Sequence, residues 1–586
     1  MIGSFRLFAT AAALLTATTT LTAQSYPKGG DPRDGLKSGV ADAGQAAKGM
    51  RLLATAPKPA SFDSVRGLTF VNSDLAFRGN LVYQGNFAGF SIWDVSNPSA
   101  PVMMSVVPCI TSQGDPSIIG NLLFVSAEGG GNRNDCAKGG VQNPADHMAG
   151  VRIYDVSNPR APRLVKNVQT CKGSHTHTVI PHPKDKGIIY IYVSGSAGVR
   201  KEMAGCVEGT DPADETNSYY RLDVIKVPLA NPEAAEVVTG ARIFTGIGAR
   251  PRRGNQPAPQ GNAAASGPRN CHDVSAYPAF GLLAGACGSH GLLVDVSNPE
   301  RPVRLDAAAD TNFSLWHTAV FSNDGTKLLF TDEWGGGTGP MCQATSMLEM
   351  GGNTVLSIGK DRKLTKHAYF KIPTGQTAQE NCVSHNGALI PVPGRDIMVQ
   401  GWYQGGVSVL DFTDPNKPFE LAFFDRGPID APPAAGDTTR RRGGTIGGSW
   451  GAYYYNGYVY SSEMARGLDI LEMMPTDQLS ANELAAAKLV MLDEFNPQSQ
   501  PKIVWPAAFP VIRSYLDQLV RGNGLSTART TAIAKALDAA EAKSGAARAT
   551  ALRTLAGQVE KDVAGASDKD RVKAMAGEMR RLAALK

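Results

Sequence analysis

Residues 92–107 read IWDVSNPSAPVMMSVV, and close copies of this phrase recur at residues 153–168, 293–308 and 409–424. A degenerate copy occupies residues 223–238. Each copy joins two apolar, β-branched runs through an Asp and a polar turn that contains Pro, which is the composition of a β-hairpin. A hairpin that recurs through several hundred residues indicates a repeat architecture.

Each phrase forms the second half of a longer unit. Upstream of it lie a strand-like run, a short polar turn and another strand, as in residues 317–321, 322–325 and 327–331. Units of four strands that follow one another at intervals of roughly 40 to 75 residues are typical of propeller blades. Seven such units can be counted, and the sequence therefore predicts an all-β, seven-bladed β-propeller. The first strands are expected to begin near Ser73, Asp115, His177, His272, His317, His385 and Trp450.

The sequence also predicts how the ring closes. The seventh unit ends at residues 468–472 without a clear fourth strand, and residues 50–54 form an isolated strand-like run before the first unit. A propeller leaves no open sheet edge when its N-terminal strand completes its last blade. We therefore expect these two runs to pair, and we assign residues 50–500 to the propeller.

The repeated phrases resemble the LVIVD repeat of bacterial secreted β-propeller proteins. The resemblance extends over roughly residues 50–474 and rests on the DVSNP hairpins, which recur in register. Copies in the third, fifth and seventh units depart from the consensus, so the boundaries of those units are less sharply defined. The resemblance implies a propeller and export from the cell, and it implies no particular reaction.

The N-terminus has the composition of a secretory signal peptide. Arg6 precedes the apolar residues 7–15 and a Thr/Ala stretch that ends at Ala23. We therefore predict a signal peptide over residues 1–23, a disordered lead rich in Gly, Ala and Asp over residues 24–49, and a mature protein in the periplasm or outside the cell. The rest of the sequence contains no run that is long and apolar enough to span a membrane.

Charge and motifs argue against several classes of protein. The net charge of +5 is small for 586 residues, and the Arg-rich runs at residues 250–253 and 440–442 lie in Gly/Pro-rich loops without neighbouring aromatic residues. Nucleic-acid binding is therefore not expected, which leaves a protein or a small molecule as the partner. The sequence contains no GxSxG elbow, Walker loop or dinucleotide fingerprint, so hydrolase and nucleotide-binding functions have no support.

Eight cysteines in an exported protein indicate disulfides. Four of them precede the first strand of a unit and four follow the end of a second strand, and these two positions lie at the same end of a hairpin. All eight are therefore expected on one face of the disc. Pairing of near neighbours predicts the bonds Cys109–Cys136, Cys171–Cys206, Cys271–Cys287 and Cys342–Cys382. A Cys-rich metal site is the alternative, and it lacks a CxxC spacing.

The pattern changes beyond the last unit. Ser480 and Glu483 have the spacing of a capping box and predict a helix over residues 480–491, although residues 488–495 could instead form a strand on the last blade. The remainder of the chain is rich in Ala, Lys and Arg, with apolar residues at helical spacing. Residues 501–586 are therefore predicted to form a separate module of about four helices, with a role in attachment or assembly.

Histidines recur at the same position in four consecutive units. In each of these four units, a His opens the first strand, and the first strand of a blade lines the central channel of a propeller. His175 stands two residues before one of them and is expected to point the same way. The second strands end at carboxylates on the same face, where the long loops also lie. The predicted ring at the channel mouth consists of His175, His177, His272, His317, His385 and the carboxylates Glu128, Glu333 and Glu463.

Imidazoles and carboxylates together suit Zn, Cu, Mn or Fe ions. The leading hypothesis is an exported propeller that binds a metal ion or a small ligand at this mouth, with a further role in protein interaction. A first alternative is a metalloenzyme, because the architecture and the His placement resemble the selenium-binding propellers that hold copper and oxidise a thiol; Glu333 would then be a ligand or a general base. A second alternative is a metal-free protein–protein scaffold, in which the histidines only cap strand ends. His147, His182 and His367 do not fit the ring and are assigned to loops.

Overall fold

The structure is a computed structural model that describes residues 30–62, 71–251, 267–429 and 446–585. The predicted signal peptide lies outside the described residues. Within them the chain is mostly β, with several four-stranded antiparallel sheets followed by helices near the C-terminus. Sheets of this kind are consistent with the blades of a propeller.

The first five sheets follow one another along the chain. The first contains Asn72–Arg78, Leu81–Asn86, Gly89–Asp94 and Val102–Pro108, with Glu494–Phe495 added at its edge. The second contains Pro116–Ile119, Leu122–Ala127, Gly150–Asp155 and Arg163–Gln169. The third contains Thr176–Pro181, Ile188–Ser194, Leu222–Pro228 and Glu236–Ala241. The fourth contains Asp273–Tyr277, Leu282–Cys287, His290–Asp295 and Val303–Ala309. The fifth contains Trp316–Phe321, Lys327–Asp332, Asn353–Ile358 and Leu364–Phe370.

A sheet of nine strands follows. Its strands are Asn386–Ile390, Ile397–Gly401, Val407–Asp411, Phe419–Arg426, Ser449–Tyr455, Tyr458–Glu463 and Gly467–Met473, together with the N-terminal strands Gln45–Lys48 and Met50–Pro57. In the middle of the sheet, the strands that begin at Asn386 and Ser449 pair in parallel, whereas the other pairings among the described strands are antiparallel. The expected closing contact is present, with Leu52 opposite Leu471 and Ala54 opposite Ile470.

The repeated phrase builds the same turn each time. Asp94 Oδ1 accepts a hydrogen bond from the backbone N–H of Ser96 at 2.8 Å, which fixes the start of the turn as an Asx motif. The equivalent distances are 2.9 Å for Asp155 and Ser157, 2.8 Å for Asp295 and Ser297, and 2.7 Å for Asp411 and Thr413. The first strands of the units begin within one residue of the predicted positions, at Asn72, Pro116, Thr176, Asp273, Trp316, Asn386 and Ser449.

The lead at residues 24–49 differs from the expectation of disorder where the structure describes it. Gln45–Lys48 pairs antiparallel with Phe419–Arg426 and so adds a strand to the outer edge of the nine-stranded sheet. Arg33 is 3% exposed, and its guanidinium lies 2.9 Å from a carboxylate oxygen of Glu420. Composition misses this order because a backbone ladder and one buried ion pair, rather than an apolar core, attach the lead to the sheet.

The predicted helix after the last strand is Ala481–Lys488, and Ser480 and Glu483 form the capping box reciprocally. The alternative strand appears only as Glu494–Phe495, and it pairs with the first sheet rather than with the last blade. Four helices with a common apolar core then complete the described chain, which agrees with the predicted number. They are Phe509–Arg521, Thr527–Glu541, Gly545–Asp562 and Lys569–Ala583.

Between the helix and this module, residues 494–503 run across the far ends of the first strands. We call them the crossing segment. The Asn496 side chain forms two hydrogen bonds with the backbone of Ile118, at 2.7 and 2.9 Å. The Gln500 side chain forms two with the backbone of Phe321, both at 3.0 Å. The crossing segment therefore links separate sheets at the end opposite to the strand starts.

Candidate metal centre

Three of the predicted histidines meet at the starts of the first strands. His272 precedes Asp273–Tyr277, His317 is the second residue of its strand, and His385 precedes Asn386–Ile390. Their rings stack in a row, with centroids 3.9 Å apart between His272 and His317 and 4.0 Å apart between His317 and His385. The shared position in successive sheets thus brings these imidazoles side by side.

Glu333, at the end of a second strand, faces this row. Its Oε2 atom lies 3.8 Å from Nε2 of His272 and 3.8 Å from Nε2 of His317, and its Oε1 atom lies 3.8 Å from Nε2 of His385. One ligand atom each of His272, His317 and Glu333 lies within 4.8 Å of the others. A metal with ligand distances of about 2.0–2.2 Å needs donor atoms that converge in this way. We call His272, His317, His385 and Glu333 the His–Glu cluster.

Hydrogen bonds orient the imidazoles. Nδ1 of His272 lies 3.0 Å from Asp273 Oδ1, and Nδ1 of His385 donates to the backbone carbonyl of Trp450. An oxygen acceptor at Nδ1 requires the proton there, so the Nε2 lone pair is left facing Glu333. A carboxylate or carbonyl behind the imidazole is the arrangement that metal-binding histidines adopt.

His175 adds a fourth imidazole beside the cluster. Its Nδ1 atom lies 2.8 Å from Glu128 Oε2, and its Nε2 atom lies 2.7 Å from Nε2 of His272. Two lone pairs would repel at this distance, so one nitrogen carries a proton. Burial opposes the charge, but Glu128 raises the pKa of His175 to about 9, and His175 is therefore the protonated partner. A metal ion in the cluster would compete with this proton for the lone pair of His272.

The two innermost imidazoles are neutral. Burial lowers the pKa of His317 well below its ordinary value, with His272 adding to the effect, and burial lowers the pKa of His385 to about 3. Both nitrogens of His317 and Nε2 of His385 have no hydrogen-bond partner among the described residues. Buried polar atoms without partners are rare, and neutral imidazoles are the form that binds metal, so these atoms could accept a metal ion.

Tyr403 completes the surroundings of Glu333, and the sequence did not predict it. Its hydroxyl donates to Glu333 Oε1 at 2.5 Å, so Oε2 is the oxygen left for an ion. The backbone φ angle of Tyr403 is +52°, which is uncommon for a bulky residue and is typical of functional sites. A pair of backbone hydrogen bonds with Ser449, at 2.9 and 2.8 Å, holds this conformation. Burial raises the pKa of both Glu333 and Tyr403.

Other predicted members of the ring lie apart from the cluster. Nδ1 of His177 is 2.8 Å from Ser126 Oγ, and burial lowers the pKa of His177 to about 3. The sequence predicted that His175 and His177 point the same way, because alternate side chains of a strand share a face. This prediction fails because His175 precedes the strand Thr176–Pro181. Glu463 forms an ion pair with Arg466 at 3.1 Å instead of facing the channel mouth.

The three histidines assigned to loops make separate contacts. Nε2 of His147 is 3.1 Å from the backbone oxygen of Gly129, and Nε2 of His367 is 2.9 Å from Ser357 Oγ. The ring of His182 stacks on Tyr190 with centroids 5.9 Å apart. These contacts lie outside the His–Glu cluster. The loop assignment is wrong for His367, which lies within the strand Leu364–Phe370.

The disulfides lie at the same end of the sheets as the cluster. The bonded pairs are Cys109–Cys136, Cys171–Cys206, Cys271–Cys287 and Cys342–Cys382. These are the four pairs that the sequence predicts when each cysteine pairs with its near neighbour. Cys271 directly precedes His272, and Cys382 lies three residues before His385, so two of the bonds anchor strand starts that carry imidazoles.

The family model of the LVIVD repeat matches residues 72–108 and 145–170. The chain carries the LVIVD repeat. The first match coincides with the four strands of the first sheet, and the second includes the last two strands of the second sheet. No curated protein gives a match to this chain.

Solved structures show only distant likeness to this chain. The Dos1 propeller is 11% identical, with a TM-score of 0.38, and the match covers 69% of this chain and 77% of that one. The hydrazine synthase of Kuenenia stuttgartiensis is 11% identical, with a TM-score of 0.42, and the match covers 70% and 96%. A putative 6-phosphogluconolactonase from Bacteroides uniformis is 10% identical, with a TM-score of 0.38, and the match covers 67% and 88%. No functional inference is drawn from these similarities.

Each helix among the described residues is too short or too polar to cross a membrane.

Proposed function

We propose that this LVIVD-repeat protein is an exported β-propeller that binds a transition-metal ion at the His–Glu cluster. The observation that carries the proposal is the convergence of the imidazole Nε2 atoms on one buried carboxylate, with Nδ1 of His272 and His385 already bonded to oxygen acceptors. An arrangement in which histidines merely cap strand ends would not leave several buried nitrogens without partners.

The propeller in this proposal has seven blades. The nine-stranded sheet represents two blades joined by the short parallel contact of their first strands, and the five other sheets supply one blade each. Met50–Pro57 serves as the outer strand of the last blade. Residues 50–500 then form the propeller and residues 501–586 the helical module, with an attachment or interaction role.

Export is part of the same proposal. Four disulfides are consistent with an oxidising compartment such as the periplasm or the extracellular space. The apolar N-terminal run at residues 7–15 supplies the signal for it.

The donor set narrows the choice of ion. Imidazole nitrogens with one carboxylate oxygen suit Zn, Cu, Mn and Fe rather than Ca or Mg, which take oxygen ligands. His272, His317 and Glu333 form the group whose donor atoms lie closest together, and His385 and His175 flank it.

Elemental analysis of the protein purified from its own compartment tests the proposal. We expect a transition metal in stoichiometric amount. A wild-type protein that carries no such metal, and takes up none on dialysis against Zn²⁺ or Cu²⁺, would favour the metal-free scaffold.

A metalloenzyme is the second candidate, and one observation favours it. A cavity of about 270 Å³ reaches His175, His272 and Glu333, so an ion there would keep a side open to an incoming molecule. Structural metal sites are closed, whereas catalytic sites keep such a position. Assays of thiol oxidation by the metal-loaded protein separate an oxidase of the selenium-binding type from a binding protein.

A further inference from the structure

Glu463 and Arg466 form a buried ion pair behind the His–Glu cluster. Glu463 ends the strand Tyr458–Glu463 and is 3% exposed, and Arg466 is 9% exposed. Nη1 of Arg466 lies 3.1 Å from Glu463 Oε1. Two charges taken out of water need further hydrogen bonds besides their mutual attraction. These further bonds lead in two directions, from Glu463 toward Tyr403 and from Arg466 toward the N-terminal lead.

Glu463 fixes the backbone beside Tyr403. Its Oε1 atom accepts a hydrogen bond from the backbone N–H of Gly448 at 3.0 Å. The φ angle of Gly448 is +85°, and a Cβ atom there would overlap the peptide group that follows Tyr403. Glycine alone permits this approach, so the backbone of Gly448 packs directly on that of Tyr403. The next residue, Ser449, forms the two backbone hydrogen bonds that hold Tyr403.

The conformation of Tyr403 determines where its hydroxyl lies. A bulky residue keeps a positive φ angle only when its surroundings impose it, and here residues 448–449 do so. The hydroxyl donates to Glu333 Oε1 at 2.5 Å. A shift of residues 448–449 would therefore move the hydroxyl and release the carboxylate of Glu333 from its orientation.

Arg466 carries the same set of contacts to the N-terminal lead. Its Nη2 atom donates to the backbone carbonyls of Gly39, at 2.7 Å, and of Gly427, at 2.9 Å. Its Nε atom donates to the carbonyl of Val40 at 3.1 Å. A guanidinium presents its donors in a rigid fork, so bonds to the lead on one side and to Glu463 on the other leave it one position.

We propose that Glu463 and Arg466 are positioning residues of the metal centre, which act by holding Tyr403, and that the lead holds Arg466 through Gly39 and Val40. This inference rests on the proposed metal site and adds that the N-terminal lead sets its affinity.

A double-mutant cycle on the full mature chain tests the role of Arg466. Co²⁺ affinity is measured by competition with a chromogenic chelator, and the visible spectrum of the bound ion reports its geometry. We expect Arg466→Ala to weaken Co²⁺ binding about fivefold and to shift the spectrum. Because Arg466 acts through Tyr403, the same substitution in the Tyr403→Phe protein should cause no further loss of affinity.

Arg395→Ala is the matched control. The side chain of Arg395 is 5% exposed, against 6% for Arg466, and it also pairs with buried carboxylates, those of Asp411 and Glu483. These contacts lie outside the metal centre. Arg395→Ala should therefore lower the free energy of unfolding while the Co²⁺ affinity and spectrum stay unchanged.

Two shortened chains test the role of the lead without a substitution in the ion pair. A chain that begins at Ala43 lacks Gly39 and Val40 but keeps the strands Gln45–Lys48 and Met50–Pro57. A chain that begins at Gly35 keeps both carbonyls and is the control. We expect the shorter chain to bind Co²⁺ about threefold more weakly than the parent, and the longer one to bind as the parent does. This comparison decides the question even where Arg466→Ala does not fold.

The outcomes separate the two proposals. A parent protein that binds no Co²⁺ overturns the metal site, and the positioning inference falls with it. A parent that binds Co²⁺ while the losses from Arg466→Ala and Tyr403→Phe multiply, or while Arg466→Ala leaves the spectrum unchanged, overturns only the positioning inference. Equal Co²⁺ affinity of the two shortened chains overturns the part assigned to the lead.

Discussion

The two ends of the first strands differ in how their buried polar groups are satisfied. At the far end, the Asn496 and Gln500 side chains each form two hydrogen bonds with backbone groups of the strands that they cross. At the near end, both nitrogens of His317 and one of His385 have no partner among the described residues. Since a buried polar group without a partner costs about 1–3 kcal/mol, the near end would gain from a ligand, whereas the crossing segment satisfies the strand groups that it contacts at the far end.

The comparison indicates that the groups that hold the sheets together and the groups that could bind a ligand lie at opposite ends of the first strands. The chain supplies its own partners at the far end, and it concentrates neutral imidazoles at the end where we propose that a metal ion binds. Variants at the two ends should therefore affect different measurements, and the predictions below are ordered by the size of the expected effect.

The largest effect is expected from removal of the closing strand, which supports both ends. Deleting the residues before Ala56 takes away the ladder to Gly467–Met473 and exposes a sheet edge. We expect the free energy of unfolding to fall by at least about 3 kcal/mol, measured by urea denaturation. A deletion variant that unfolds at the same urea concentration as the parent would contradict this form of closure.

His317→Ala should remove the metal ion from the near end without breaking a hydrogen bond of the fold. It removes a central donor, so metal affinity should fall at least about 100-fold, as measured by competition with a chromogenic chelator. The metal-free variant loses no hydrogen bond relative to the metal-free parent. Its free energy of unfolding should therefore fall only by the cost of the cavity that the missing ring leaves. The control is His147→Ala in a loop outside the cluster, which should keep full metal content.

Asn496→Ala should do the reverse at the far end. It leaves the backbone N–H and C=O of Ile118 without partners, so we expect a loss of about 1–3 kcal/mol in stability and no change in metal content. Equal losses of metal from Asn496→Ala and His317→Ala would show that the two ends are not separate.

Tyr403→Phe sharpens the account of Glu333. Without the hydroxyl, the carboxylate of Glu333 is free to rotate. We therefore expect about tenfold weaker metal binding and a shifted visible spectrum of the Co²⁺-substituted protein. The matched control is Tyr454→Phe, because the hydroxyl of Tyr454 is buried and has no partner among the described residues. An unchanged Co²⁺ spectrum in Tyr403→Phe would exclude this positioning role.

The smallest effect concerns pH and a carboxyl group outside the His–Glu cluster. Burial, with Glu380 nearby, raises the pKa of Asp425 to about 7, whereas the unfolded chain ionises near 3.8. Between these values the folded state holds a proton that the unfolded state has lost, so stability falls as pH rises and levels off above about 7. We expect the metal-free protein to lose about 1 kcal/mol between pH 6 and pH 8 through this group. In Asp425→Asn this part of the pH dependence should disappear. Urea denaturation of the parent and the variant at pH 6 and pH 8 measures the difference in the free energy of unfolding.

Much of this arrangement is encoded locally and could be predicted. The DVSNP turn repeats, so strand starts, the row of His272, His317 and His385, and the face that carries the cysteines follow from spacing alone. The position of Glu333 follows from the same hairpin geometry. These features share one cause, because each depends only on the place of a residue within a unit.

The features that escaped prediction depend on single, unrepeated contacts. Tyr403 reaches Glu333 through a tight turn with an uncommon backbone angle, and no periodicity marks such a turn. Asp273 holds His272 from the next position in the chain, and only the His-Asp dipeptide signals it. The crossing segment reads as an ordinary polar linker, because its side chains find their partners on strands that are distant in sequence.

The closing strand also has a consequence for the order of events during synthesis. Thr55 donates a hydrogen bond to Asp469 across 414 residues, so the ring joins strands that are made far apart in time. Contacts of such long range form slowly, because the intervening chain must be ordered before they are gained. A nascent chain of this protein therefore cannot complete its ring before the strand Gly467–Met473 has left the ribosome. If the chain is exported as proposed, a polypeptide that stays open for so long is suited to passage through a narrow translocation channel before its disulfides form.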